Sequence, residues 1–236
     1  MKRLTLLALL LPIGCDWMPG RPTRAERPVT ADDVRDSDTL WATNCSGCHG
    51  ANGRDGAARP MNDPVYLALA SDEYLTRITT HGVDNTLMPP MAKSEGGPMT
   101  TEQVNITVRG MRNAWGVAAD TSNAPALTST AAASSATSGA TLFTSYCSAC
   151  HGDDGTGTDK AGSVVDSSYL AMTSDQALRS TIICGRIDLG MPDWASRKGL
   201  PALTGAQVDD LVAWLTSHRV QHPGAPGASI IDGDAS

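Results

Sequence analysis

Two short strings in this 236-residue chain are almost identical, and they limit its fold more than any other feature. Cys45-Ser46-Gly47-Cys48-His49 returns as Cys147-Ser148-Ala149-Cys150-His151, 102 residues later. Two cysteines three positions apart, followed at once by a histidine, suit a disulfide, half of a zinc site, a redox dithiol or a covalent anchor for haem. The first string alone leaves these four chemistries open.

The repeat extends well beyond the two strings. Tyr66–Asp72 matches Tyr169–Asp175 at an offset of 103 residues, and at the same offset Met88-Pro89 falls on Met191-Pro192. The chain is therefore a tandem duplication with small insertions.

Helical patterns dominate both halves. Thr100 and Gln103 in the first half, and Thr204 and Gln207 in the second, form capping-box patterns ahead of amphipathic runs. No alternating strand pattern of useful length is present. The sequence predicts an all-α fold, with short helices before the CxxCH strings and with the strings themselves in Gly-rich loops.

Composition shifts predict the domain boundaries. We expect domains at residues 35–119 and 139–221, and a disordered tail at 222–236. Residues 120–138, rich in Ala, Ser and Thr, read as a flexible linker. As a random coil it spans roughly 25 Å, which neither forces the domains together nor holds them apart.

The N-terminus resembles an export signal that ends at a lipid-attachment cysteine. Residues 1–14 combine Lys2 and Arg3 with a short apolar run, and Cys15 follows as in a lipobox, although Pro12 departs from that pattern. Residues 15–34 then read as a disordered tether. We expect a location on the periplasmic side of a bacterial membrane, anchored at Cys15; an ordinary cleaved signal with an incidental Cys15 is the alternative.

The charge of the chain excludes one class of partner. The formal net charge is -7, and cleavage of the signal would remove two further positive charges. A chain this acidic does not fit nucleic acid. It fits a protein that docks on basic patches of other proteins.

Covalent haem explains every position of the two CxxCH strings. A disulfide does not need the histidine, and zinc needs a second pair of ligands nearby. Two thiols at this spacing can join one porphyrin, with the following histidine below the iron. We predict two haem c groups, held by Cys45 and Cys48 and by Cys147 and Cys150.

The repeat also predicts the iron ligands. His49 and His151 would ligate one side of each iron. Met88 and Met191, which match in the repeat and each precede a proline, would ligate the other. Met91 is a rival to Met88, but it aligns with Trp194, which cannot ligate iron.

These motifs resemble the class I cytochrome c domain, and the duplication resembles a bacterial dihaem cytochrome c. The resemblance covers about residues 36–219 and implies two tandem all-α domains, each with terminal helices crossing over a haem. In that family the histidine donates its second ring proton to a proline carbonyl. Pro60 is suitably placed for His49, whereas Gly162 stands at the equivalent position of the second half, so we expect some other carbonyl to serve there.

Further site residues are predicted around the second methionine. Arg186 and Trp194 flank Met191 and could donate hydrogen bonds to a haem propionate. Cys184 aligns with His81; we interpret Cys184 as a buried unpaired thiol and His81 as a surface residue.

Two classes of function remain. The first is an electron-transfer protein, not an independent catalyst, whose partners are redox proteins. These would be a Rieske/cytochrome b complex or a terminal oxidase; residues 96–115 and 169–194 resemble cytochrome c subunits that accompany Rieske/cytochrome b quinol-oxidising complexes. A free-standing periplasmic carrier is a variant of it. The second is a dihaem enzyme of the peroxidase or thiosulfate-oxidising type, but both halves offer a matching Met-Pro and no acid/base pair shares the loop.

Overall fold

The computed structural model describes residues 27–84, 86–129, 133–196 and 199–220. The predicted signal peptide, Cys15, most of the tether and the tail at 222–236 lie outside these described residues. The chain divides into two compact units, 1–34 and 35–236. The described part of the first unit contains one three-residue 3-10 turn, Ala31–Asp33.

The second unit is helical and contains both halves of the repeat. Its first half consists of α1 (Ser37–Asn44), α2 (Ser46–His49), α3 (Pro64–Leu69), α4 (Asp72–His81) and α5 (Thr101–Trp115). Its second half consists of α6 (Ala136–Tyr146), α7 (Ser148–His151), α8 (Ser167–Met172), α9 (Asp175–Cys184) and α10 (Gly205–Thr216). In the described ranges extended backbone pairs only as two isolated bridges, Ala92 with Met99 and Arg186 with Met191. The all-α prediction is confirmed.

Both predicted capping boxes are present. Thr100 accepts from the backbone N–H of Gln103, whose side chain accepts from the Thr100 N–H. Thr204 and Gln207 repeat this exchange at the start of α10. The orphan N–H groups of both C-terminal helices are therefore capped reciprocally.

In each half the first helix crosses the last, and a glycine permits the close approach. In the first half Gly110 on α5 meets Ser37 on α1, and a Cβ at residue 110 would lie 2.5 Å from the Ser37 Cβ. In the second half Gly139 on α6 meets α10, and a Cβ there would lie 2.0 Å from the Asp210 carbonyl oxygen. The two halves thus make the same crossing with a glycine on opposite partners.

In each half an arginine, on the last helix or just after its end, bonds to the two middle helices. Arg112 donates to the carbonyls of Leu67 and Ala70 and pairs with Asp72. Arg219 makes the matching bonds to the carbonyls of Leu170 and Thr173, and it pairs with Asp175. Each guanidinium satisfies carbonyls at the C-terminal end of α3 or α8 and neutralises the acidic start of α4 or α9.

The two halves pack against each other. α3 of the first half contacts α9 of the second, and one continuous cluster of buried residues includes side chains from both halves. The fold therefore has one shared core, which the linker's estimated reach had left open.

The linker prediction was wrong about part of the segment. The Leu127 side chain is buried, and its carbonyl accepts from Gln176 at 2.7 Å. Arg179 donates to the Ala126 carbonyl at 3.0 and 2.9 Å and pairs with Asp209 in the interior. These polar contacts fasten residues 126 and 127 to the second half, and α6 already begins at Ala136, inside the predicted linker.

Candidate haem-binding sites

Each CxxCH string forms a helical turn, not the loop expected from its sequence. The N–H groups of Cys48 and His49 point to the Cys45 carbonyl, at 3.2 and 3.0 Å, and Cys150 and His151 do the same to Cys147. One turn places residues three and four apart on the same face. Both thiols and the imidazole of each string therefore project to one side, as a shared porphyrin requires.

The glycine after each histidine ends this turn. Gly50 has φ 82° and Gly152 has φ 78°, a backbone region that side chains rarely adopt. A Cβ at residue 50 would also lie 1.6 Å from the Arg54 carbonyl oxygen. The chain thus reverses immediately behind the histidine, and the Gly-rich loops of the prediction follow from here.

Both histidine rings are fixed by backbone carbonyls. His49 Nδ1 lies 2.7 Å from the Arg59 carbonyl oxygen, and His151 Nδ1 lies 3.0 Å from that of Gly162. A carbonyl can only accept, so Nδ1 carries the proton and Nε2 keeps its lone pair for a metal. Pro60 was the wrong acceptor in the first half, by one residue. In the second half the expectation of another carbonyl was also wrong, because the Gly162 carbonyl itself serves.

Burial favours the neutral, metal-binding form of the first histidine. Burial lowers the pKa of His49, and the Arg59 carbonyl partly opposes that shift. The ring also lies beside Trp41, with centroids 6.0 Å apart. An uncharged imidazole with a free Nε2 is therefore the form that the folded chain presents.

The thiol environments argue against a reactive dithiol. Burial raises the pKa of the Cys45 thiol to about 11, whereas redox-active CxxC motifs lower the pKa of one thiol. Cys45 and Cys147 are half-buried, and Cys48 and Cys150 are exposed. The attachment points thus lie at the protein surface.

No conventional metal cluster accompanies these thiols. Within the described ranges no three His, Cys, Asp or Glu side chains come together in a way that could hold a bare ion. The donor set fits a porphyrin at each turn: two thiols and one tautomer-fixed imidazole on the same face.

The two methionine loops begin in the same way. Each begins at a glycine that follows α4 or α9, Gly82 with φ 74° and Gly185 with φ 72°. The next N–H group then donates to the methionine carbonyl, from Val83 to Met88 and from Arg186 to Met191, at 3.0 Å in both halves. This equivalence supports the pairing of Met88 with Met191, and their ligation of iron stays a prediction.

Met91, the rival ligand, has a different environment. Its side chain is buried, whereas Met88 is half-buried. Its N–H donates to the Thr79 carbonyl at 3.0 Å, and its own carbonyl accepts from Met99 at 2.8 Å. Met91 is thus tied to α4 and to the segment before α5, as a core residue.

The two predicted propionate donors have different surroundings, and both contacts stay predictions. The Trp194 indole N–H is buried without a hydrogen-bond partner among the described residues. Buried donors are rarely left unpaired, so this N–H calls for an acceptor such as a haem carboxylate. Arg186 forms a fork with Asp188, at 3.0 and 2.8 Å, and lowers the pKa of that carboxyl.

The interpretation of Cys184 and His81 agrees with the structure. Cys184 is fully buried and unpaired by any disulfide, and burial raises the pKa of its thiol to about 12. The His81 side chain is 56% exposed and lies 3.5 Å from Glu95.

Sequence comparison missed an aromatic pair behind each site. Trp115 packs edge-on against Trp41 at 4.8 Å, and Trp214 packs on Phe143 at 4.0 Å. Trp41 and Phe143 match in the repeat, but their partners stand at different helical positions. The signal was available in the sequence only as one tryptophan in the last helix of each half.

Comparison with known proteins identifies the family. The family described as "Cytochrome C oxidase, cbb3-type, subunit III" matches residues 32–105 and 134–215. The chain belongs to this family. Each of the two matched segments contains one CxxCH turn, and the chain carries two covalently bound haem c groups.

Individual relatives agree with this assignment. The chain is 27% identical over 185 residues to the cbb3-type cytochrome c oxidase subunit CcoP of Cereibacter sphaeroides, covering 75% of this chain and 58% of that protein. It is 28% identical over 172 residues to subunit FixPc of Rhizobium leguminosarum bv. viciae, covering 68% and 54%. The chain thus spans little more than half the length of these relatives.

A solved structure from the Kuenenia stuttgartiensis reducing HAO-like protein complex covers 82% of this chain and all of its own, at 16% identity and a TM-score of 0.46. Among the described residues no helix is both long and apolar enough to cross a membrane.

Proposed function

We propose that this chain is an electron-transfer subunit that delivers single electrons to a cbb3-type terminal oxidase. The observation that carries the proposal is the presence of two equivalent haem-binding turns in a chain of the subunit III family. The named relatives are oxidase subunits. The comparisons give no support to the Rieske/cytochrome b complex, so the oxidase is the partner of choice.

The residues of this chain suit repeated one-electron traffic. When bound, each haem takes up and releases one electron at its iron. The carbonyls of Arg59 and Gly162 fix the histidine rings, and equivalent loops present Met88 and Met191. Sites held this firmly need little rearrangement between redox states.

The attachment points lie where a partner could reach them. Cys48 and Cys150 are exposed, so one covalent attachment point of each haem faces solvent. Negative charge over the surface steers docking to basic partners, an attraction that weakens as salt rises.

A lipid anchor at Cys15 would keep the chain at the membrane that holds the oxidase. Palmitate labelling in the producing bacterium tests it: we expect label in the full chain and none in Cys15→Ser. Label retained in the variant would contradict the anchor.

A dihaem enzyme is the alternative, and ligation by Met88 and Met191 separates the two. Closed sites bind carbon monoxide slowly and incompletely, because the methionine must first leave. Met88→Ala and Met191→Ala should each open one site to stoichiometric binding, whereas Met99→Ala should open neither. Rapid stoichiometric binding by the unaltered reduced protein would contradict the closed-site reading.

Purification from detergent-solubilised membranes tests the partner. We expect the affinity-tagged chain to recover the catalytic subunit of a cbb3-type oxidase, with oxygen consumption supported by a soluble electron donor. A variant with Cys147→Ser and Cys150→Ser should still associate if it folds, but should lose turnover. Recovery of Rieske and cytochrome b subunits in place of an oxidase would overturn the proposal.

A further inference from the structure

Arg59 is a buried cation with unused donors. It lies in the loop between α2 and α3, and its side chain is 17% exposed. Nη2 donates to Asp63 at 3.2 Å, and the guanidinium lies over the Tyr66 ring, 4.2 Å from its centroid. Nε and Nη1 are buried with no hydrogen-bond partner among the described residues. Leaving two such donors unsatisfied is costly, so they call for an acceptor.

The backbone of the same residue forms part of the first haem site. The Arg59 carbonyl accepts the Nδ1 proton of His49. Its side chain therefore starts from the wall of the site that Cys45 and Cys48 define. A haem c brings two carboxylates into that site, and carboxylates are the acceptors that guanidinium groups bind best.

The second half has its buried N–H donor at a different position of the repeat. Ala161 stands where the repeat would place Arg59, and Met91 stands where it would place Trp194. Among the described residues, each half nevertheless contains one side chain with buried, unpartnered N–H donors, Arg59 in the first and Trp194 in the second. This exchange is expected if each haem needs one donor for its carboxylates and the position of the donor is free.

Arg59 also lies near the second domain. Cys184, the last residue of α9, is fully buried, and the Arg59 charge opposes the rise that burial causes in the pKa of its thiol. α3, which carries Tyr66, packs against α9. The guanidinium therefore lies near Asp63 and Tyr66 of the first half and near Cys184 of the second.

We propose that Arg59 binds a carboxylate of the first haem, and that Cys184 of the second domain holds it in that orientation. The first haem site is then complete only when the two domains are packed together. This inference rests on the attachment of haem at Cys45 and Cys48, but not on the identity of the oxidase partner.

Resonance Raman spectroscopy of the purified two-haem protein tests the contact, because the propionate bending band reports hydrogen bonding to the carboxylate. In Arg59→Gln we expect the first-haem component to move to lower frequency and the first reduction potential to become more negative. The second haem should be unchanged. A variant with Cys147→Ser and Cys150→Ser assigns the first-haem signals.

Two variants separate the contact from a charge effect. Arg59→Lys keeps the positive charge but loses the planar fork of donors. The reduction potential of the first haem should therefore stay close to the wild-type value, while the propionate band still shifts. Arg77→Gln removes an arginine that lies 5.3 Å from the Tyr74 ring, and its band should not move. An unchanged band in Arg59→Gln would overturn the proposal, even if the potential changed.

Cys184→Ala tests the part played by the second domain. Loss of the thiol should broaden or shift the first-haem band, in the direction seen for Arg59→Gln but by less. An unchanged band would overturn the claim that the second domain holds Arg59. These readouts come from the isolated protein, so their failure is distinct from failure to recover an oxidase.

Discussion

The two halves of the molecule share a fold but reach it with different residues. Gly110 on the last helix permits the helix crossing in the first half, and Gly139 on the first helix permits it in the second. Arg112 and Arg219 make the same bonds from positions that do not align in the repeat. The shared features are backbone paths, cap sites and the residues predicted to bind iron. Duplication has thus preserved contacts more strictly than the residues that make them.

The largest expected effect comes from a buried pair that only the second half has. Arg179 and Asp209 pair in the interior, whereas Thr76 and Asn105 stand at their places in the first half. Asp209→Asn leaves a buried cation without its partner, so we expect a loss of about 3–5 kcal/mol in the free energy of unfolding. Urea titration followed by circular dichroism measures it. Asp175→Asn, at an exposed pair, is the control and should cost less than about 1 kcal/mol; equal losses would contradict the buried role.

Alanine substitutions at Gly139 and Gly110 compare a clash with backbone to a clash with a side chain. Gly139→Ala meets a backbone carbonyl oxygen, so α6 and α10 must separate, at a cost of about 3 kcal/mol. Gly110→Ala meets the Ser37 side chain and should cost about 1 kcal/mol. Thermal denaturation compares the two.

A second substitution sharpens this comparison. Ser37→Gly should restore most of the stability lost in Gly110→Ala, because it removes the side chain that collides. No rescue by Ser37→Gly would show that the first crossing is limited by backbone as well.

Arg112 and Arg219 should contribute equally to the stability of the fold. Arg112→Ala and Arg219→Ala each free two helix-end carbonyls, and we expect each to cost about 1–3 kcal/mol. Arg109→Ala, at an exposed position of α5, should cost less than about 0.5 kcal/mol. Chemical denaturation of the three variants decides, and a large difference between Arg112→Ala and Arg219→Ala would break the equivalence.

The smallest expected effect is the pH dependence of stability that comes from the second methionine loop. Hydrogen bonds from Arg186 hold the pKa of Asp188 below its usual 3.8, and Val83 stands at the place of Arg186 in the first loop. A carboxyl whose pKa is depressed in the folded state stabilises the fold above about pH 4. This stabilisation is lost as the pH falls through the pKa of the folded state. At pH 6 the free energy of unfolding of the wild type should exceed that of Asp188→Asn by less than about 1 kcal/mol. The difference in unfolding free energy should shrink towards pH 3; a constant difference would contradict this reading.

The sequence predicted the features that depend on neighbouring residues. A CxxCH motif, a capping box and a Met-Pro pair are each encoded within a few positions, so they could be read directly and checked against the repeat, although the CxxCH strings were expected in loops and form helical turns. The all-α class followed from the helical periodicity of the same segments.

Features that depend on distant contacts could not be read in this way. Arg112 and Arg219 escape comparison because the offset between the halves grows from 104 at the capping boxes to 107 at these arginines. The acceptor for His49 differs from the expected Pro60 by one residue, a shift set by the path of the loop. The packing of α3 on α9 left no periodic signal at all.

The fastening of residues 126 and 127 also bears on proteolysis and on reconstitution from fragments. The chain is attached to the second half at Leu127 and again at Ser135, whose N–H donates to Asp210 at 2.7 Å. A cut between these two points would therefore leave both new chain ends bonded to the second half. A protease that cleaves there should yield two bands on a denaturing gel that still migrate together under native conditions, and separately expressed halves should find each other through the surface between α3 and α9.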